Sequence, residues 1–196
     1  MPRTKEQYEK IREDRKKLIM DAGLELFSRE GFGHVSISSL ANHAGISKGL
    51  MYNYFPGKEA LLQAILNEGI EEIMRSIDPN HDGVLTRDEF ILFIQKTFRM
   101  MHEERDYWVK LFSLIIQPNV KEYLKESAIV QFMEKYFGMF RQYFEMLGYE
   151  DPLLEVFHLS VIIEGFGIMM LYYNDLAKFP EDLFIHYEKK IIQLYT

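Results

Sequence analysis

In residues 35–58, VSISSLANHAGISKGLMYNYFPGK, two serines eleven positions apart each precede a short run with helical spacing, and a glycine stands between the runs. Ser36 can cap a helix whose apolar positions Ile37, Leu40 and Ala41 fall on one side, and Gly45 sits where that helix must end in a left-handed turn. Ile46 plugs the turn. Ser47 opens a second short helix, SKGLMYNYF, in which Met51 and Phe55 lie one turn apart facing inward, so that Lys48, Gly49, Tyr52 and Asn53 face outward. Two helices of this size joined at a glycine form a helix-turn-helix, whose second helix enters the DNA major groove. Pro56-Gly57 ends it, and Lys58 follows at the entry to the next helix, where a cation and free backbone N–H groups can hold a phosphate.

At these residues the chain resembles the TetR family of bacterial transcriptional regulators. The resemblance covers the first third of the chain, from a first helix ending AGLELFSREGF through GISKGLMYNYFPGKEALL, its most specific part. It implies that Lys48, Gly49 and Tyr52 meet base edges and that Ser36, Tyr54 and Lys58 meet the DNA backbone. Ser38 stands where many relatives carry a longer polar side chain, and Leu50 where a small hydroxyl residue is common, so direct readout leans on Lys48 and Tyr52.

The net charge of −7 suits a DNA binder only when it is divided along the chain. Residues 1–58 hold ten Lys and Arg against seven Asp and Glu, a net of +3, and the rest carries −10. The basic end is the reading end, with Arg3, Lys5, Lys10, Arg12, Arg15, Lys16 and Lys17 suited either to follow phosphates along an arm and first helix or, for any one of them, to a solvated helix face with intrachain pairs.

Beyond the reader the pattern is helical throughout, which makes the fold all-α. Leu61, Leu62, Ile65, Leu66, Ile73, Met74 and Ile77 form one stripe down a connecting helix. Helical spacing resumes over 88–117 with a break near 102–106, then over about 127–147, 152–173 and 181–194, punctuated by Pro118, Gly148, Pro152 and Pro180. This divides the chain into a three-helix DNA-binding domain, 1–58, and a helical effector-binding and dimerisation domain, 59–196.

Residues 156–173 are apolar enough to raise a membrane span, but Glu164 at the centre would be costly in lipid. Gly165 and Gly167 suit close helix packing instead, so no membrane is expected. The resemblance implies that this segment and 181–194 pair with their symmetry mates, giving a homodimer that reads a palindromic double-stranded operator. It also implies a small-molecule effector bound among the core helices, with Trp108, Phe112, Phe140, Tyr143, Phe144, Phe166 and Met169 as lining residues suited to an apolar or aromatic ligand.

A second motif lies outside the family pattern. Residues 78–89, DPNHDGVLTRDE, resemble an EF-hand calcium loop. Asp78, Asn80 and Asp82 supply alternating oxygens, Gly83 permits the sharp turn, and Val84 offers a carbonyl. Thr86 sits where a ligand acts through water, and Glu89 closes the loop as a bidentate ligand. Calcium is therefore the expected cofactor, although the same residues are ordinary turn formers and no second loop accompanies this one.

Cysteine is absent, which excludes a disulfide framework, a zinc-thiolate site and a cysteine nucleophile. The N-terminus, MPRTKEQYEKIREDRKK, lacks the apolar core of a signal peptide, so a cytoplasmic location is expected. No HExxH, phosphate-binding glycine loop or GxSxG points to an enzyme. The expected function is a one-component transcriptional repressor. The alternative is a calcium sensor that acts through protein partners, its helix-turn-helix serving only to pack.

Overall fold

A computed structural model describes residues 4–74, 77–125, 128–176 and 180–196. Among the described residues all regular structure is helical, in the order α1 (Lys5–Glu30), α2 (Ile37–His43), α3 (Lys48–Tyr54), α4 (Lys58–Met74), α5 (Arg87–Glu103), α6 (Arg105–Ile115), α7 (Lys121–Lys125), α8 (Ala128–Met146), α9 (Pro152–Leu176) and α10 (Asp182–Tyr195). The break expected near 102–106 falls at Glu104, and the short α7 was not foreseen. The side chains of Ile73 and Met74, and all of Ser127, lie outside the described residues.

The chain forms two compact units. The first comprises Met1–Glu68 and Ser113–Ser127, the second Gly69–Phe112 and Ala128–Thr196. Local signals build the first. Thr4 caps α1 reciprocally with Gln7, Ser36 caps α2 with Ser39, and the Ser47 hydroxyl accepts from the Leu50 N–H. Gly45 takes φ +65°, as the turn requires. Leu40, Met51, Leu61 and Leu62 are wholly buried, each stabilising the unit by about 1.5–3 kcal/mol relative to exposure.

The first unit is larger than the 58 residues expected because Gln117 ties a distant segment into it. Its side-chain carbonyl accepts from the Phe32 N–H at 2.9 Å and its amide donates to the Phe27 carbonyl at 2.9 Å. Phe32 then packs edge-on against Tyr123, with ring centroids 5.3 Å apart. No periodicity announces such a link.

In the second unit α8 packs along α9 and α5 along α10. Phe90 lies at the centre of an aromatic cluster, stacked on Tyr143 at 4.8 Å and edge-on to Phe140, Phe144 and Tyr195. Buried Tyr143 donates its hydroxyl hydrogen to the Tyr195 carbonyl at 2.9 Å. Gly167 on α9 lets the Phe112 ring approach so closely that any Cβ there would collide with it, the close packing expected of this helix, whereas nothing lies within 4 Å of a Cβ built on Gly165. Residues Pro152–Tyr173 of α9 are long and apolar enough to cross a membrane by length and composition alone. They also carry an exposed apolar stripe of Leu154, Phe157, Val161, Ile168 and Tyr172.

Candidate functional site

Three features of the structure carry chemistry. The first is the outward face of α3. Met51 and Phe55 anchor it with 0% and 4% exposure, and the helix periodicity then leaves Lys48, Gly49, Tyr52 and Asn53 exposed together. Nothing lies within 4 Å of a Cβ built on Gly49, so this face admits a flat partner. Ser36 is exposed at the N-terminus of α2, while Tyr54 is half-buried.

Lys58 behaves differently from its neighbours. Its ammonium donates to the carbonyls of Phe32, Gly33 and Val35 at 2.9, 3.3 and 3.1 Å, which matches its three hydrogens to three acceptors. It also stands 4.7 Å over the Phe32 ring. In this state the side chain fastens the α1–α2 loop, and a phosphate would have to compete with those carbonyls.

The second feature is the loop 78–89. Asp78 Oδ1 accepts from the Gly83 N–H, Asn80 Oδ1 from the Asp82 N–H, and Asp82 Oδ1 from the Val84 N–H, so the loop is wound by its own oxygen-bearing side chains. His81 and Gly83 take φ of 60° and 77°. Val84 is exposed, and buried Leu85 anchors the loop from below. Thr86 caps α5, and the Glu89 carboxylate accepts from the Thr86 N–H at 2.9 Å and its hydroxyl at 2.7 Å.

Asp78 is 1% exposed and pairs with Lys135 of α8 at 3.3 Å. Burial acts to raise its pKa. The hydrogen bonds from Lys135 and Gly83 and the charges of Lys135 and His81 outweigh that, and hold the carboxyl below the usual carboxylate value. Among the described residues no three acidic or histidine side chains converge closely enough to hold a metal ion. A cation would therefore need Lys135 to leave Asp78 and Glu89 to leave its cap.

The third feature is a cavity of about 210 Å³ within the second unit, lined by residues of α5, α6, α8 and α9 together with Ile77. Of the seven residues expected to line a pocket, Phe112 and Phe140 do so. Trp108, Tyr143, Phe144 and Phe166 instead fill the core, each at most 2% exposed, and half-buried Met169 is also away from the cavity wall. Phe93, Tyr136, Phe137, Leu159, Ile163 and Glu164 are lining residues that aromatic content alone did not single out.

Residues 19–65 match the family model described as bacterial regulatory proteins, tetR family. The chain is 44% identical over 54 residues to the uncharacterized HTH-type transcriptional regulator YuxN of Bacillus subtilis, covering 28% of this chain and 19% of the relative. It is 28% identical over 98 residues to the HTH-type transcriptional regulator LuxR of Vibrio harveyi, covering 50% of this chain and 48% of the relative. The chain thus spans between a fifth and a half of these relatives. Its fold resembles the solved structure of the transcriptional regulator FadR from Bacillus subtilis in complex with stearoyl-CoA, with TM-score 0.68 and 19% identity over 91% of this chain and 96% of that one.

Proposed function

We propose that this chain is a DNA-binding transcriptional regulator that acts as a homodimer on a palindromic operator and is released by a small-molecule effector. The observation that carries the reading is the outward face of α3, where Lys48, Gly49, Tyr52 and Asn53 are exposed together on a helix that Ser47 caps and Met51 anchors. A lysine can donate to guanine O6 and N7, and a tyrosine adds an apolar face with a polar tip. The relatives are themselves transcriptional regulators, which supports the same reading.

Dimerisation through α9 and α10 is supported by large apolar side chains left in water: Phe157 at 53%, Val161 at 66%, Tyr172 at 66% and Ile185 at 54% exposure. Such a face on a helix that also carries Glu164 suits a partner helix better than lipid. Two readers related by a twofold axis would meet half-sites about one DNA turn apart.

The cavity supports a small apolar effector, and the FadR complex shows that a related fold accommodates an acyl-CoA. Calcium binding by the loop 78–89 is supported by its residue pattern and by the turns through which Asp78, Asn80 and Asp82 hold backbone N–H groups. We read calcium as a structural pin. A lone hand has no paired partner, and sensor hands work by exposing a groove.

The test is genome-wide mapping of bound sites followed by footprinting of the recovered sequences. A palindrome protected in two half-sites supports the reading, and sequence-independent binding overturns it. Calorimetric titration of chelator-stripped protein with calcium tests the loop separately. No heat of binding there would reduce the loop to a turn.

A further inference from the structure

The walls of the cavity discriminate by charge as well as by size. We propose that the cavity takes a small aromatic organic cation, such as a quaternary ammonium attached to one ring, with Glu164 facing the positive charge and the rings of Phe93, Phe137 and Phe140 facing the rest. This rests on the effector reading above and specifies its ligand class.

Among the described lining residues there is no lysine, arginine or histidine, and Glu164 is the one charged group. The other polar lining side chain on that helix is Ser160. Its hydroxyl hydrogen is committed to the Val156 carbonyl at 3.0 Å, leaving its oxygen lone pairs as acceptors. Lys135 is not a lining residue; its ammonium pairs with Asp78 at 3.3 Å and stands 5.4 Å over the Tyr136 ring, so the rings of Phe93, Phe137 and Phe140 are the ones left to a guest.

Glu164 is exposed, so its carboxylate stands where the cavity meets water, and an anion entering there would give up water to approach a like charge, which is unfavourable. A neutral apolar molecule gains burial and nothing more. An onium ion gains burial, attraction to the carboxylate and attraction to the ring faces, the combination by which aromatic cages select quaternary ammonium groups. A volume of about 210 Å³ falls below the roughly 300–1,000 Å³ of pockets for drug-sized ligands, which limits the guest to one or two rings. Both size and charge therefore depart from the long-chain acyl-CoA carried by the FadR structure.

The experiment compares three probes on the full chain: benzyltrimethylammonium, its neutral isostere neopentylbenzene, and the anion 4-phenylbutyrate. Trp108, the single tryptophan, lies with its ring 6.3 Å from that of the lining residue Phe112, so its fluorescence reports occupancy, and calorimetry gives the affinity. The expected result is that the cation binds at least about tenfold more tightly than either other probe, the scale of a cation–π contact added to a charge pair that water partly screens. Glu164→Gln is expected to erase that preference while neopentylbenzene binds as before and the melting temperature is unchanged. Leu159→Phe, which fills the space, is expected to abolish binding of every probe.

Equal or tighter binding of the neutral or anionic probe overturns the charge assignment and leaves the effector cavity standing. Failure of all three probes, or binding that survives Leu159→Phe, overturns the cavity as a site altogether.

Discussion

The ammonium of Lys58 reaches back 26 residues to donate to the carbonyl of Phe32 at 2.9 Å while lying over the ring of the same residue at 4.7 Å. A side chain expected at the DNA backbone thus also closes the loop that positions α2. Lys58→Met is expected to cost the free protein about 1.5–3 kcal/mol, the scale of a hydrogen bond to a charged group. Urea unfolding without DNA measures this. An unchanged midpoint would return Lys58 to a phosphate-only role.

Lys48→Ala and Tyr52→Ala are expected to do the opposite. Both side chains are exposed, so melting stays within the experimental scatter of the parent, while operator affinity falls by about 1–3 kcal/mol per base-reading contact. Fluorescence anisotropy against cognate and scrambled duplexes makes the comparison. Equal losses on both duplexes would indicate backbone contacts.

Gly167→Ala forces the Phe112 ring out of the space it occupies. The expected cost is about 1–3 kcal/mol from overpacking, together with a shift in the emission of Trp108, whose ring neighbours Phe112. A variant as stable as the parent, with unaltered emission, would mean that the ring has room to move.

The capping role of Glu89 can be separated from the calcium-ligand role proposed for it. In Glu89→Gln the amide oxygen can still accept from the Thr86 N–H, so the cap on α5 persists, but the bidentate carboxylate that calcium needs is gone. Thr86→Ala removes the cap itself and is expected to cost about 0.5–2 kcal/mol. Calcium titration and thermal melting of both variants should therefore dissociate. Identical calcium binding in Glu89→Gln and the parent refutes the ligand role.

High pH should weaken the fold through its buried phenols. Burial, with a smaller contribution from Tyr149 and against the charge of Arg87, pushes Tyr143 up to about 12 from its ordinary 10.0. Burial and the Glu155 carboxylate, to which its hydroxyl donates, raise Tyr195 as well. Their neutral forms are favoured in the folded state, so this contribution is fully present below about pH 10 and is lost as pH rises from there through the folded-state values. Phenolate absorbance followed alongside circular dichroism should show these two tyrosines ionising late, together with loss of helix. Free titration of every tyrosine near pH 10 with the fold intact would contradict their burial.

What was legible in the sequence was local. Ser36, Gly45, Ser47, Met51 and Phe55 act on residues within one or two turns, so spacing alone placed them and the face they leave exposed. The Glu104 break and the longer helices after it were readable for the same reason, while the five-residue α7 was too short to show a periodicity. Lys58 and Gln117 were not, because their partners lie 23–26 and 85–90 residues away and neither residue type advertises a distant carbonyl. Of the seven residues expected at the cavity, two line it. Aromatic residues mark where a core can form, but whether a buried ring is packed into the core, as Phe144 is, or borders the cavity, as Phe140 does, depends on what each neighbouring helix puts opposite it.

The link from Gln117 to Phe27 and Phe32 also sets an order of assembly. A ribosome that has released only the first 68 residues has made every helix of the DNA reader, yet the Phe32 amide still lacks its acceptor and the Phe27 carbonyl its Gln117 donor. At synthesis rates of about 5–20 residues per second, Gln117 follows roughly 2 to 10 seconds later. The first unit is finished only after residues 69–117 have been translated, so a chain truncated just past α4 would leave the ribosome with its α1–α2 loop only partly fastened.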